Sequence, residues 1–218
     1  MTESAAKLAG AGTVSPWVER FLHGIKAGGR VLDVACGSGR HLRLAHVAGY
    51  TVTGVDRDLS GVADLSGSER VRFVKADLEA GGLDPLRDHL GGETFDGVIV
   101  TNYLWRPILP DIVARVAVGG ALIYETFAVG NERVGRRKPS NPDFLLKPGE
   151  LLEAIRPALV AIAYEHVSLC TETLGASLPA RVVQRIVAVG PEHPWVTIPP
   201  LSMQSLRGRC WTDECPER

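Results

Sequence analysis

The segment VLDVACGSGRH, Val31 to His41, constrains the fold more than any other part of the chain. Val31, Leu32 and Val34 read as the end of a strand, Gly37 and Gly39 permit a tight turn with close backbone approach, and a helical pattern resumes at Arg40. A strand that passes through such a turn into a helix leaves unpaired N–H groups at the helix amino end, where a polar or anionic ligand group is favoured. In an open α/β sheet that position lies at the carboxyl ends of the strands, where ligands bind.

The remaining apolar runs repeat the theme. RVLDVA, YTVTGVD, VRFVKAD, TFDGVIVTN and GALIYETF are short and β-branched, and helical patterns such as HLRLAHVAG fall between them. Runs without an alternating solvated face suit parallel strands covered on both sides, which predicts a doubly wound α/β sheet. SPWVERFLHGI, with Ser15-Pro16 as its start signal, predicts a helix over 16–26. LVAIAYEHVSL and ARVVQRIVAVG are separated by too short a connection for a crossover helix, so they are expected to form an antiparallel hairpin at the sheet edge. Residues 1–14 read as a flexible start, 15–190 as one domain, and the proline-rich 191–218 as an irregular tail packed on or extending from it.

At 218 residues, 45% apolar and 22% charged, the chain has ordinary globular composition. It has no apolar run long enough to cross a bilayer, and MTESAAKLAGAG lacks the pattern of a signal peptide, so a cytoplasmic protein without membrane contact is expected. Cys36, Cys170, Cys210 and Cys215 are scattered and are read as reduced thiols. A formal net charge of -1 provides no global attraction to nucleic acid or anionic lipid.

Two ligand classes compete for the glycine turn. A dinucleotide site prefers G-x-G-x-x-G, but Leu42 stands at the third glycine position. Asp33, inside the strand end, would repel a pyrophosphate and suits a ligand bearing an ammonium group, as S-adenosylmethionine does. VLDVACGSGRH, YTVTGVDRD, VRFVKADLE and TFDGVIVTNYLWRP, in that order, resemble the motifs of class I S-adenosylmethionine-dependent methyltransferases over about residues 15–190. More narrowly, the chain resembles small bacterial stand-alone enzymes of the tellurite-resistance and small-molecule type. The resemblance implies a Rossmann-like, mostly parallel seven-stranded sheet with an antiparallel last strand. It implies S-adenosylmethionine as cofactor, held by Asp33, Ala35, Gly37, Gly39, Asp56, Arg57, Asp77, Leu78 and Asn102. Asp56 would accept both ribose hydroxyls, and Asp77 with Leu78 would read the adenine amino edge.

Acceptor chemistry is expected at the exits of strands four and five; Asp96, at the opposite end of strand four, is excluded. Asn102 is a candidate to fix the cofactor or orient the acceptor. Tyr103 and Trp105 are candidate pocket walls, and Arg106 a candidate holder of an anionic group. Glu125 is a candidate base or a structural acceptor. Beside it, Tyr124, Thr126 and Phe127 also follow strand five. The long segment AVGNERVGRRKPSNPDFLLKPGE carries Arg133, Arg136, Arg137 and Lys138 against Glu132, and reads as either an acceptor-contacting lid or a solvated charged loop. In that segment Asn141-Pro142 would set a turn.

His41 is read as a ligand contact or a structural side chain, and His166 as a core histidine. Cys210 and Cys215, even with Cys170 or His193, have poor zinc spacing, so no metal is expected. The leading expectation is a methyltransferase acting on a small molecule, as a monomer or homodimer. The alternatives are an RNA or protein methyltransferase using the basic loop, and an S-adenosylmethionine-binding protein without catalysis. The near-neutral charge and the lack of an appended binding domain weigh against nucleic acid.

Overall fold

A computed structural model describes residues 12–80, 84–134, 139, 141–173 and 176–200, with side chains described except at 171–173 and 176–180. The sequence expectations for Arg136, Arg137, Lys138, Cys210 and Cys215 lie outside the described residues. Seven strands form one sheet: β1 (Arg30–Val34), β2 (Thr51–Asp56), β3 (Val71–Lys75), β4 (Phe95–Thr101), β5 (Val116–Phe127), β6 (Val160–Thr173) and β7 (Ala176–Val189). Their order is β3-β2-β1-β4-β5-β7-β6. β1 to β5 are parallel neighbours, and β7 enters antiparallel between β5 and β6. The expected hairpin is therefore present, and its second strand joins it to the parallel sheet.

Strand order reverses between β1 and β4, which opens a crevice at their carboxyl ends. The short α1 (Pro16–Phe21) and α2 (Arg40–Val47) cover one face. There Trp17, Phe21, Ile25, Leu42 and Ile99 belong to a single apolar cluster. α3 (Pro85–Leu90), α4 (Leu109–Ala114) and α5 (Glu150–Ala154) cover the other face, around Leu32, Leu86, Ile112, Leu122 and Ile186. Burying each such side chain stabilises by about 1.5–3 kcal/mol. Both faces are therefore dry, which is why the strands read as continuous apolar runs.

The first helix is shorter than expected. It ends at Phe21 and tightens into a 3₁₀ turn over Leu22–Gly24, after which Ile25 is extended. The phenolic hydroxyl of Tyr50 donates toward the carbonyls of Leu22 and Ile25 at 3.1 and 3.2 Å, so the freed backbone acceptors are satisfied by a tertiary contact. The Trp195 ring occupies the space where a side chain at Gly24 would lie. This contact packs residues 193–196 of the expected tail onto the domain. No described helix is long and apolar enough to cross a membrane.

Candidate functional site

The backbone at the crevice is strained where the sheet order reverses. Ala35, just past β1, and Asn102, just past β4, both adopt left-handed conformations, with φ of 53° and 55°. Each costs a residue with a Cβ about 1–2 kcal/mol, a strain that clusters at ligand-contacting positions. Gly37 and Gly39 are also left-handed, at φ 54° and 74°. A side chain at Gly37 would meet no protein atom within 4 Å, so this turn faces open space.

A cavity of about 280 Å³ opens there, lined by Ala35, Asp56, Arg57, Ala76, Asp77, Leu78, Glu79, Asn102 and Tyr103. Six of the residues expected to hold a cofactor, Ala35, Asp56, Arg57, Asp77, Leu78 and Asn102, converge on it from four strand ends. Asp56 braces the turn: one carboxylate oxygen accepts the Gly37 N–H at 2.8 Å and the other accepts the Asp58 N–H at 3.0 Å. Asp77 similarly accepts the Glu79 N–H at 3.0 Å. Each of these oxygens keeps a lone pair for a ligand. Ala76 and Glu79 had no motif signal; they line the cavity because they flank Asp77 and Leu78.

Two polar groups near the crevice lack partners. The Tyr103 hydroxyl is buried and unpaired among the described residues. Burial pushes its pKa up, and the carboxylates of Glu79, Asp77 and Asp56 add to the rise, so it stays a neutral donor. Asp33 is buried, and its Oδ2 is likewise unpaired. Desolvation raises the Asp33 carboxyl from 3.8 to about 7, opposed by the Leu42 N–H and the Arg40 charge. Leu42, at the dinucleotide fold's third glycine position, packs on Gly54 of β2, where a Cβ would lie 2.5 Å from Leu42 Cδ1. The small residue that permits close helix–strand packing is thus on the strand.

Other expected residues do not line the cavity. The Arg106 guanidinium forms an ion pair with Glu150 at 2.6 Å and donates to the carbonyls of Asp143 and Leu145. In place of the expected hold on an anionic acceptor, it clamps the chain ahead of α5. Trp105 packs against the apolar core. Glu125 is buried and accepts from the Ser15 hydroxyl at 3.1 Å, with Arg181 and Arg185 each at 3.4 Å, so the structure favours its reading as a structural acceptor over that of a base. Tyr124 is buried and donates to the Tyr103 carbonyl at 2.9 Å. Asp96 caps the amino end of β1, accepting the Arg30 N–H, far from the crevice.

In the long segment after β5, Asn141 accepts the Asp143 N–H and forms the expected turn. Arg133 is largely exposed beside Glu132, as a solvated residue would be. His41 is structural. Its Nε2 accepts the Ser15 N–H at 3.0 Å, so the ring proton sits on Nδ1 and donates to the Thr101 hydroxyl at 3.1 Å. Burial, together with Arg40, lowers its pKa to about 3. Among the described residues no group of three or more His, Cys, Asp or Glu is placed to hold a metal ion.

A family model described as methionine biosynthesis protein MetW matches residues 17–118, under half of the chain. No curated protein matches it. TehB from Haemophilus influenzae is similar in structure, with a TM-score of 0.57 at 21% identity, over 82% of this chain and 62% of that one. The chain therefore spans under two thirds of that protein. A TehB-like SAM-dependent methyltransferase from Corynebacterium glutamicum gives 0.55 at 19% identity, over 85% and 94% of the two chains. The 1,6-didemethyltoxoflavin-N1-methyltransferase of Burkholderia thailandensis, whose structure holds 1,6-didemethyltoxoflavin and S-adenosylhomocysteine, gives 0.58 at 20% identity, over 86% and 81%. The fold of this chain is that of the class I S-adenosylmethionine-dependent methyltransferases.

Proposed function

We propose that the chain is an S-adenosylmethionine-dependent methyltransferase acting on a small molecule. The observation that carries this reading is the convergence of Ala35, Asp56, Asp77, Leu78 and Asn102 on one cavity at the sheet's reversal point. The residues fit the cofactor chemically. The unpaired, buried Asp33 oxygen suits an ammonium group, Asp56 has acceptor capacity for a ribose diol, and the unpaired Tyr103 hydroxyl offers a further hydrogen bond. Among the described residues that line the cavity, Asp56, Asp77 and Glu79 outnumber the cation Arg57, an electrostatic setting that disfavours the pyrophosphate of a nicotinamide dinucleotide.

When bound, S-adenosylmethionine supplies a methyl group already activated as an electrophile by its sulfonium. The chain's own task is then to hold cofactor and acceptor in line and to exclude water. Asn102 is suited to this, because its strained backbone is fixed by its N–H donating to the Glu125 carbonyl at 2.9 Å. Tyr103, held through its carbonyl by Tyr124, walls the same side. Support for a small acceptor comes from the near-neutral charge and from the structurally similar Burkholderia protein, a 1,6-didemethyltoxoflavin-N1-methyltransferase.

The test is incubation of the purified chain with methyl-labelled S-adenosylmethionine and cell extract separated into small-molecule, RNA and protein fractions. Label in the small-molecule fraction is expected. Label confined to RNA or protein would replace the small acceptor, and label in no fraction would leave a binding protein without catalysis.

A further inference from the structure

On the α1 and α2 side of the strand ends lies a polar cluster that the cofactor reading does not use. Thr101, Glu125, Arg185 and Glu165 are successive partners across β4, β5, β7 and β6. Arg185 is matched by Glu165 at 2.6 Å. Arg181 lies further along β7, beyond the last residue paired with β5, and reaches back to Glu125 at 3.4 Å. From the opposite side, Arg40 in the first turn of α2 donates to the Thr101 hydroxyl at 3.3 Å. Among the described residues Arg40 has no carboxylate within ion-pair distance. Burial lowers its pKa, and the strongest charged influence on it is the like charge of Arg181.

Two guanidinium groups from separate elements therefore reach the neighbouring Thr101–Glu125 pair, Arg40 at the Thr101 hydroxyl and Arg181 at the buried Glu125 carboxylate, which Arg185 also contacts. Thr101 directly precedes Asn102 of the cavity wall, so the cluster adjoins the cofactor cavity at the same sheet edge. Partly desolvated arginines form charge-assisted hydrogen bonds with carboxylate or phosphate, and an anion held by two of them offsets their mutual repulsion.

We propose that Arg40 and Arg181 form the subsite for an anionic group, carboxylate or phosphate, of the methyl acceptor. This rests on the methyltransferase reading and narrows its substrate class. The acceptor carries its methyl-accepting atom on one part and a negative charge on another, and the arginines orient the former toward the cavity.

The test uses the full chain labelled with ¹⁵N-arginine and saturated with S-adenosylhomocysteine. It is titrated with inorganic phosphate and, separately, with acetate, at ionic strength held constant with chloride. Arginine Nε–H signals are assigned with Arg40→Gln and Arg181→Gln. The expected result is a saturable shift of the Arg40 and Arg181 signals by at least one probe, weakened about tenfold or more by either substitution. Failure of both probes to shift them saturably, or shifts unchanged by Arg181→Gln, would overturn the subsite. Saturable shifts that appear only without S-adenosylhomocysteine would assign the anion to the cofactor's own carboxylate and overturn the acceptor class. Failure of S-adenosylhomocysteine itself to bind would sink the methyltransferase reading separately, since Arg40 and Arg181 do not line its cavity.

Discussion

Burial of the Asp33 carboxylate couples the stability of the fold to pH. Desolvation raises its pKa from 3.8 to about 7 in the folded chain. Between those values the folded state binds more protons than the unfolded one, so stability falls as pH rises through this window and then levels off. At about 1.4 kcal/mol per unit, the penalty is about 1.5 kcal/mol at pH 5 and about 4 kcal/mol at pH 8.5. Asp33→Asn keeps an acceptor for the Leu42 N–H and removes the charge. In urea unfolding without ligand, the variant should gain on wild type by about 2.5 kcal/mol between those two pH values. Binding should move the other way: the variant should lose affinity for S-adenosylmethionine, most clearly at pH 8.5, because the ammonium loses its charged partner. Parallel stability profiles for the two proteins would show that Asp33 is not held near neutrality by burial, and the argument for its ligand would fail.

Three further outcomes follow from the site. Asp56→Ala should weaken S-adenosylhomocysteine binding by one to two decades, roughly the 1.5–3 kcal/mol of a charged acceptor, as read by calorimetry on protein shown to be folded. Tyr103→Phe removes an unpaired buried hydroxyl, so the ligand-free chain should be as stable as wild type or more stable by about 1 kcal/mol, while S-adenosylhomocysteine affinity falls severalfold. Arg106→Ala should lower stability in urea by about 1–3 kcal/mol through loss of the Glu150 pair and two carbonyl contacts, and should leave cofactor affinity unchanged.

What could be read from the sequence tracks the range of the interactions. The strands and the glycine turn are local patterns, and the cavity residues Ala35, Asp56, Asp77 and Asn102 are each found by following a strand to its carboxyl end. Helix α1 ended early because Tyr50 and Trp195, distant in sequence, occupy the space and carbonyls that a longer helix would need. Leu42 departs from the dinucleotide glycine pattern, and the small residue it packs against, Gly54, lies on the next strand, out of reach of a local motif. Arg106 and Glu125 are polar residues at strand exits, the position of functional side chains, yet their roles are set by Glu150, Ser15 and the arginines of β7. The approach of Arg40 and Arg181 to the neighbouring Thr101 and Glu125 is illegible in sequence for the same reason, because only the antiparallel insertion of β7 beside β5 brings Arg181 to Glu125.

On the proposed function, the cavity at the ends of β1 to β4 takes S-adenosylmethionine. Calorimetric titration of the full chain with S-adenosylhomocysteine, and in parallel with NAD, tests it most directly. One equivalent of S-adenosylhomocysteine should bind, and NAD should give no binding heat. Saturable binding of NAD with none of S-adenosylhomocysteine would assign the cavity to a dinucleotide instead.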